Sequence, residues 1–439
     1  MPRALVRDTA KVSILTILSK IAGAAKTVVI ARYFGAAGVL DTYLLAFLPV
    51  SFLIDVVSGS MINALLPAFV DASEREGREE ALALYGRVQV RILGILLATA
   101  VVLGIGAGPI LHLLATGFDD EKIRLTRKML LIMLPILPLS ALNVTWRAVL
   151  NAEESFAVAA ISPALVPVFT VAALVALTSG YGISALAIGT MAGALAESFL
   201  LLYFVKASGA PAVAGLESFS ADTRNVFTQY LPAAGGNLVL GSSTLVDQSM
   251  AAMLGSGSVS VLNYGTRLVT VLLAIGPTAL STVILPWFSR LTAKGNGHEI
   301  RRTIVRYSLF SLAVTIPLTC VLVVMSPWLT QLFFQRGAFT TTDTGSVARV
   351  QSYALLRVPL SVLLALLLPL VASLKRNSLL LVVAVFSVTA NIVLNFFFMK
   401  VWGVAGLALS TAVVHLFSVV FLANRLLQAK AEVARPKST

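Results

Sequence analysis

The stretch "ILTILSKIAGAAKTVVIARYFG", Ile14–Gly35, is long and apolar enough to cross a bilayer, yet it carries Lys20 and Lys26 and has Arg32 near its end. A span needs about 20 apolar residues. An ammonium at its centre costs about 2.5–3.5 kcal/mol on an insertion scale. Arg3 and Arg7 before it resemble the basic start of a secretory signal. The apolar run is too long and too basic in its middle for one, and has no A-x-A end, so it reads as a retained first membrane helix.

The composition agrees. Of 439 residues, 58% are hydrophobic and 12% charged, whereas a soluble chain carries about 25% charged residues. Backbone groups in hydrocarbon must be satisfied within their own segment, so the long apolar runs imply helices. The weak alternation of an outer-membrane barrel is absent. The fold class is therefore an all-α polytopic membrane protein. The net charge of +13 suits positive loops beside a membrane. No domain-sized polar region exists to hold nucleic acid. The lone cysteine, Cys320, can form no internal disulfide.

Apolar runs between polar breaks give about twelve spans, an even number that puts both termini on one side. The termini share their side with Arg75, Arg78, Arg87, Lys206, Arg224, Arg290, Lys294, Arg301, Arg302, Arg306, Lys375 and Arg376. The other side holds Arg32, Lys122, Arg124, Arg127, Lys128, Arg336 and Lys400. The excess of Lys and Arg on the termini side makes that side cytoplasmic.

The chain also repeats itself. "NALLPAFVDASEREG" (63–77) resembles "TVILPWFSRLTAKGN" (282–296), with Pro67 matching Pro286. "TGFDDEKIRLTR" (116–127) resembles "RGAFTTTDTGSVAR" (336–349), and "VLNAEESF" (149–156) lies opposite "VASLKRNS" (371–378). All three pairs are half a chain apart. They predict two six-helix lobes related by a pseudo-twofold axis along the membrane normal, with a substrate site between them. The expected divisions are 1–210 for the first lobe, 211–224 for a Gly-, Ala-, Ser- and Pro-rich linker, 225–428 for the second lobe and 429–439 for a cytoplasmic tail.

Intramembrane charges mark function by default. Lys20 and Lys26 suit a water-filled cavity that binds an anion; their alternative is an internal ion pair with Asp41, Asp55, Glu197 or Asp247. Their spacing turns about 240° on a straight helix, so they do not share a face unless Gly23 permits a bend. Asp41 and Asp55 fall on nearly the same face of the second span. Arg267, Arg357, Asn391, Asn395 and His415 are further polar residues within spans. No enzyme motif stands beside them. "FDDEK" (118–122) has adjacent acids but no second cluster, and reads as a solvated loop. There is no GxxxxGK[ST] loop and no metal-site spacing, so neither cofactor nor metal is expected.

"ARYFGAAGVLDTYLLAF" (31–47), "GSVSVLNYGTRLVTVLLAIGPTALSTVILPWFSRLTAKGN" (257–296) and "LFFQRGAFTTTDT" (332–344) resemble the MviN/MurJ family. These are lipid II flippases of the multidrug/oligosaccharidyl-lipid/polysaccharide exporter superfamily. The resemblance runs over nearly the whole chain. It implies two six-helix lobes around a central cavity in the bacterial inner membrane, and export of a polyprenyl-pyrophosphate-linked glycan by alternating access. It also implies that Lys20 and Lys26 stand where the family has two first-span arginines. Arg267 matches its eighth-span arginine, and Asp41 its acid at the start of span two. These four form the expected substrate site, with Asp55, Glu197 and Asp247 as coupling or pairing residues for a coupling ion. Two departures accompany it. Ile54 and Asp55 stand where the family has an arginine pair, and the chain ends after span twelve, where relatives carry two more helices. Both leave room for an exporter of an exopolysaccharide or O-antigen unit. A drug or cation antiporter would want an acidic cavity, and a membrane-embedded glycosyl or prenyl transferase would want a metal motif.

Overall fold

The structure, a computed structural model, describes residues 3–212, 221–274, 297–373 and 377–433. Among these, regular structure is helical throughout. The chain divides into two compact units, Met1–Leu245 and Val246–Thr439. That boundary lies within a helix, later in the chain than the 211–224 linker. Most of that linker, the repeat segment 282–296, Lys375, Arg376 and the end of the tail lie outside the described residues.

In the first unit the helices are α1 (Arg3–Phe34), α2 (Gly38–Arg75), α3 (Arg78–Ile105), α4 (Ala107–Leu114), α5 (Asp120–Met133), α6 (Ile136–Ala152), α7 (Phe156–Ile161), α8 (Leu165–Tyr181) and α9 (Ser184–Ala207). α10 (Ala221–Ala252) carries the chain into the second unit, where α11 (Ser258–Ala274), α12 (Gly297–Phe334), α13 (Thr341–Leu355), α14 (Arg357–Ser373), α15 (Asn377–Trp402) and α16 (Val404–Val433) follow. Ten helical segments among the described residues are long and apolar enough to cross a membrane. They coincide with ten of the expected spans. The seventh expected span, 226–254, falls on α10, a helix long enough to cross but rich in Asn, Gln, Ser and Thr. The eighth is represented by α11, whose continuation lies outside the described residues.

The repeat is visible in local construction. α5 and α13 each begin at a capped turn: Asp119 accepts from the Lys122 backbone N–H at 2.8 Å, and Thr340 and Asp343 form a reciprocal capping box. Caps of this kind satisfy donors that a helix start leaves orphaned. The acids of "FDDEK" are therefore the cap and first turn of α5, where they complement the helix dipole. Each span then breaks at its middle. α5 gives way to α6 at Leu134–Pro135 and α13 to α14 at Leu356, with Pro359 in the next turn. Proline lacks the N–H that would continue the ladder and disfavours helix in the residue before it.

The first unit is built around α2, α3, α6 and α9, with Met61, Leu65, Phe69, Tyr85, Val88, Ile92 and Trp146 at its centre. Its polar groups are tied in. Tyr85 donates to the Pro211 carbonyl at 3.2 Å and Trp146 Nε1 to that of Ala212 at 3.0 Å, which anchors the start of the linker. Arg78 bridges Glu153 and the Ser208 carbonyl. The second unit has a core around Leu367, Val371, Val383 and Leu422.

Small residues set the closest helix contacts. A Cβ at Gly193 would lie 2.6 Å from the Val166 Cα, and one at Gly189 would lie 2.8 Å from the Thr170 Cα. α8 and α9 thus touch backbone to backbone, as helices in lipid do when small residues line the seam. Gly193→Val forces these helices apart. Overpacking of this kind costs about 1–3 kcal/mol, so the variant in detergent should unfold at a lower temperature than the wild type when followed by fluorescence-detected size exclusion.

Candidate functional site

α1 is continuous through Gly23, and Thr27 returns its hydroxyl to the Gly23 carbonyl at 3.1 Å. Its C-terminal half is packed in the first unit, with Ile30 and Ala31 buried. Its N-terminal half is not: Ile14, Ile17, Leu18 and Ile21 are 48–59% exposed. Lys20 stands on this exposed stretch and Lys26 is half-buried. Neither pairs with a described carboxylate. The expected ion-pair partners are engaged elsewhere or face elsewhere.

Glu197 of α9 is one. It lies 3.4 Å from Arg147 of α6 and accepts from Ser162 at 3.2 Å. Nearby, Ser198 donates to Asn143 at 2.8 Å. This is an ion pair internal to the first unit. Asp41, in the first turn of α2, is wholly buried. An acid there is favoured by the helix dipole. Asp55 differs although it was expected on nearly the same face: it is exposed to a hollow. Pro49 lies between them in α2, and a proline inside a helix is a usual cause of a kink.

The hollow at Asp55 lies within the first unit, between α2 and α10. It measures about 470 Å³ and is lined by Leu48, Ser51, Phe52, Asp55, Val56, Gly59, Asn237, Gly241, Thr244 and Leu245. A shallower one of about 530 Å³, on α5, is lined by Arg124, Arg127, Lys128, Leu131 and Ile132.

In the second unit, Asp247 of α10 joins a polar cluster. Asn395 Nδ2 donates to Asp247 Oδ1 at 2.7 Å and reaches Asn391 Oδ1 at 3.3 Å. Thr411 donates to Asp247 Oδ2 at 3.3 Å. Ser410 donates to Asn395 Oδ1. His415 Nδ1 lies 2.7 Å from the Thr411 carbonyl. Arg357 on α14 is within electrostatic reach of Asp247. The cluster joins α10, α15 and α16 through oxygen and amide groups. Among the described residues no group of His, Cys, Asp and Glu has the make-up of a transition-metal site.

Arg267, on α11, is half-buried, and its Nε has no hydrogen-bond partner among the described residues. The helix meets α13 at Gly265, where a Cβ would lie 2.6 Å from Val350 Cγ1. Two residues on, Arg267 projects about 200° away from that contact. Sequence reasoning did not single out Arg147, Thr411, Ser410 or Asn237. The four-residue step from Thr411 to His415, matching that from Asn391 to Asn395, was the available signal for the cluster; Arg147 and Asn237 gave none.

A family model described as "Lipid II flippase MurJ" matches residues 30–437. The probable lipid II flippase MurJ of Synechocystis sp. is 27% identical, over 96% of this chain and 82% of its own. That of Thermotoga maritima is also 27% identical, over 96% and 85%. The lipid II flippase MurJ of Burkholderia cenocepacia is 27% identical over 79% and 69%. Among solved structures, an inward closed lipid II flippase MurJ superposes with a TM-score of 0.79 at 24% identity, over 94% of this chain and 87% of that one. An inward-facing multidrug transporter of the MATE family superposes with 0.78 at 14% identity, over 98% and 100%. Both share the two-lobe, twelve-helix fold.

The Glu197 pair offers a direct test of structural role. Arg147→Ala leaves a buried carboxylate unpaired, a change that costs about 3–5 kcal/mol, whereas replacing both partners by apolar residues is often near neutral. Thermal unfolding of the purified protein should show Arg147→Ala strongly destabilised and the double variant Arg147→Met/Glu197→Leu closer to wild type.

Proposed function

The chain belongs to the MurJ family of lipid II flippases, and from that premise we propose that Lys20, Lys26 and Arg267 each contribute to binding the anionic headgroup of a lipid-linked glycan in the course of its transport. The protein is a multi-pass transporter of the bacterial cytoplasmic membrane. Its substrate is lipid II or a closely related polyprenyl-pyrophosphate-linked glycan, which it moves from the cytoplasmic to the outer leaflet by alternating access. The observation that carries the flippase reading is the family match over residues 30–437, nearly the whole chain; Lys20 and Lys26 precede the matched residues and rest on their intramembrane charge. Both termini are cytoplasmic by the distribution of Lys and Arg.

The three cations are suited to the role because they are not consumed by local pairing. Neither lysine has an ion-pair partner among the described residues, and the Arg267 Nε is buried without an acceptor. A pyrophosphate supplies acceptor oxygens that match ammonium and guanidinium donors. Where the family places arginines, the two lysines act as point charges, without the planar fork that grips phosphate bidentately.

Coupling to a cation falls to Asp247. Its carboxylate, the Asn391 amide oxygen and the Thr411 hydroxyl are hard oxygen donors of the kind that alkali and alkaline-earth cations select. Arg357 nearby acts as a counter-charge when no cation is bound. The MATE likeness is one of fold and lends no support to a drug substrate.

Two experiments test the reading. Each of Lys20→Ala, Lys26→Ala and Arg267→Ala should lower translocation of labelled lipid II in proteoliposomes by about tenfold or more, since a contact to a charged group is worth about 1.5–3 kcal/mol. All three variants should still insert and be expressed normally. Full complementation of a flippase-deficient strain by all three would sink the anion-site assignment. The membrane potential, inside negative, is the second lever. A charge crossing it is worth about 2.3 kcal/mol per 100 mV, whether carried by the pyrophosphate outward or by the empty basic site on return. Translocation under a potassium gradient with valinomycin, at equal pH, should therefore slow when the potential is collapsed.

A further inference from the structure

The hollow beside Asp55 is built by α2 and α10, and its chemistry is opposite to that of the three cations. Its lining combines the apolar Leu48, Phe52, Val56 and Leu245 with the polar Asp55, Ser51, Thr244 and Asn237. No cation lines it. Among the described residues, no arginine or lysine forms an ion pair with the Asp55 carboxylate. A carboxylate in the middle of a span is too costly to keep without a use or a partner.

The other polar groups of the lining keep acceptor capacity. Ser51 donates its hydroxyl to the Leu48 carbonyl at 3.1 Å, so its oxygen lone pairs remain to accept. Asn237 gives its Nδ2 to Ser60 at 2.9 Å and keeps Oδ1. Gly241 lets the Phe52 ring pack closely against α10: a Cβ there would come within 2.9 Å of the ring. The volume of about 470 Å³ lies in the range of small-ligand sites. It is far larger than a desolvated metal ion, which needs a close shell of oxygens.

We propose that this hollow is a subsite for a primary ammonium at the end of an alkyl chain, supplied by the peptide of the lipid-linked substrate. An ammonium has three donors and no acceptor. Asp55, Ser51 and Asn237 match it with acceptors, and Thr244 adds a hydroxyl. The apolar wall takes the methylene stem, as hydrophobic surface does for lysine side chains, and the Phe52 ring offers a face to the cation. The subsite makes the chain selective for substrates whose headgroup peptide carries a free side-chain amine. This inference rests on the flippase reading and adds a specificity determinant to it.

The test compares two probes in proteoliposomes: lipid II with lysine in its stem peptide, and the same lipid with that lysine Nε-acetylated. Wild type should move the free-amine lipid about tenfold faster at limiting concentration, the scale of a charge-assisted contact. In Asp55→Asn, which keeps size and shape, the ratio of the two rates should fall toward one, and Asp55→Glu should restore part of it. Equal rates in the wild type would overturn the subsite while leaving the flippase reading standing. A preference that persists unchanged in Asp55→Asn, even if both rates drop, would overturn it too and give Asp55 to ion coupling. Movement of neither lipid by the wild type would bring down the lipid II reading itself, and the subsite with it.

Discussion

A charge inside a membrane must be paired, hydrated or given a ligand, and this constraint organises every polar residue of the chain. The helices themselves follow from the same physics, because unsatisfied backbone groups in hydrocarbon cost several kcal/mol each. Once helices are obligatory, the few ionisable side chains within them sort by what meets their charge. Glu197 meets Arg147 and Ser162 inside one bundle. Asp247 meets two asparagines and a threonine across α10, α15 and α16. Lys20, Lys26, Arg267 and Asp55 have no such local answer among the described residues, and these four carry the functional proposals.

The two units reach similar ends by repeated local devices. A capped turn starts α5 and α13, and a proline-assisted break divides each from its successor. Such breaks free backbone groups that neighbouring helices must satisfy, and they let a span change direction within the bilayer. Close backbone contacts through glycine, as between α8 and α9, then supply packing that a bilayer does not drive by hydrophobic burial.

Among the described residues, the intramembrane charges without a local ion-pair partner separate by sign: Lys20 and Lys26 on α1 and Arg267 on α11, and Asp55 on α2 in a hollow lined by no described cation. A substrate that carries both a pyrophosphate and a peptide amine presents both signs at once.

The sequence alone determined the all-helical membrane fold, the internal repeat and the family, because hydropathy, turn chemistry and the blocks at 257–296 and 332–344 are written residue by residue. It also marked which charges were out of place in hydrocarbon. It did not determine what each charge meets. Glu197 and Arg147 are fifty positions apart by the span of their contact, and Asp247 finds Asn395 and Thr411 on helices much later in the chain. Asp41 and Asp55 share a helical face by periodicity, yet one is sealed in the core and the other opens to a hollow shaped by Gly241 on a different helix. Periodicity fixes direction around one helix axis; whether a side chain pointing that way reaches a partner, a wall or open space is decided by neighbouring helices, and only the tertiary structure supplies them.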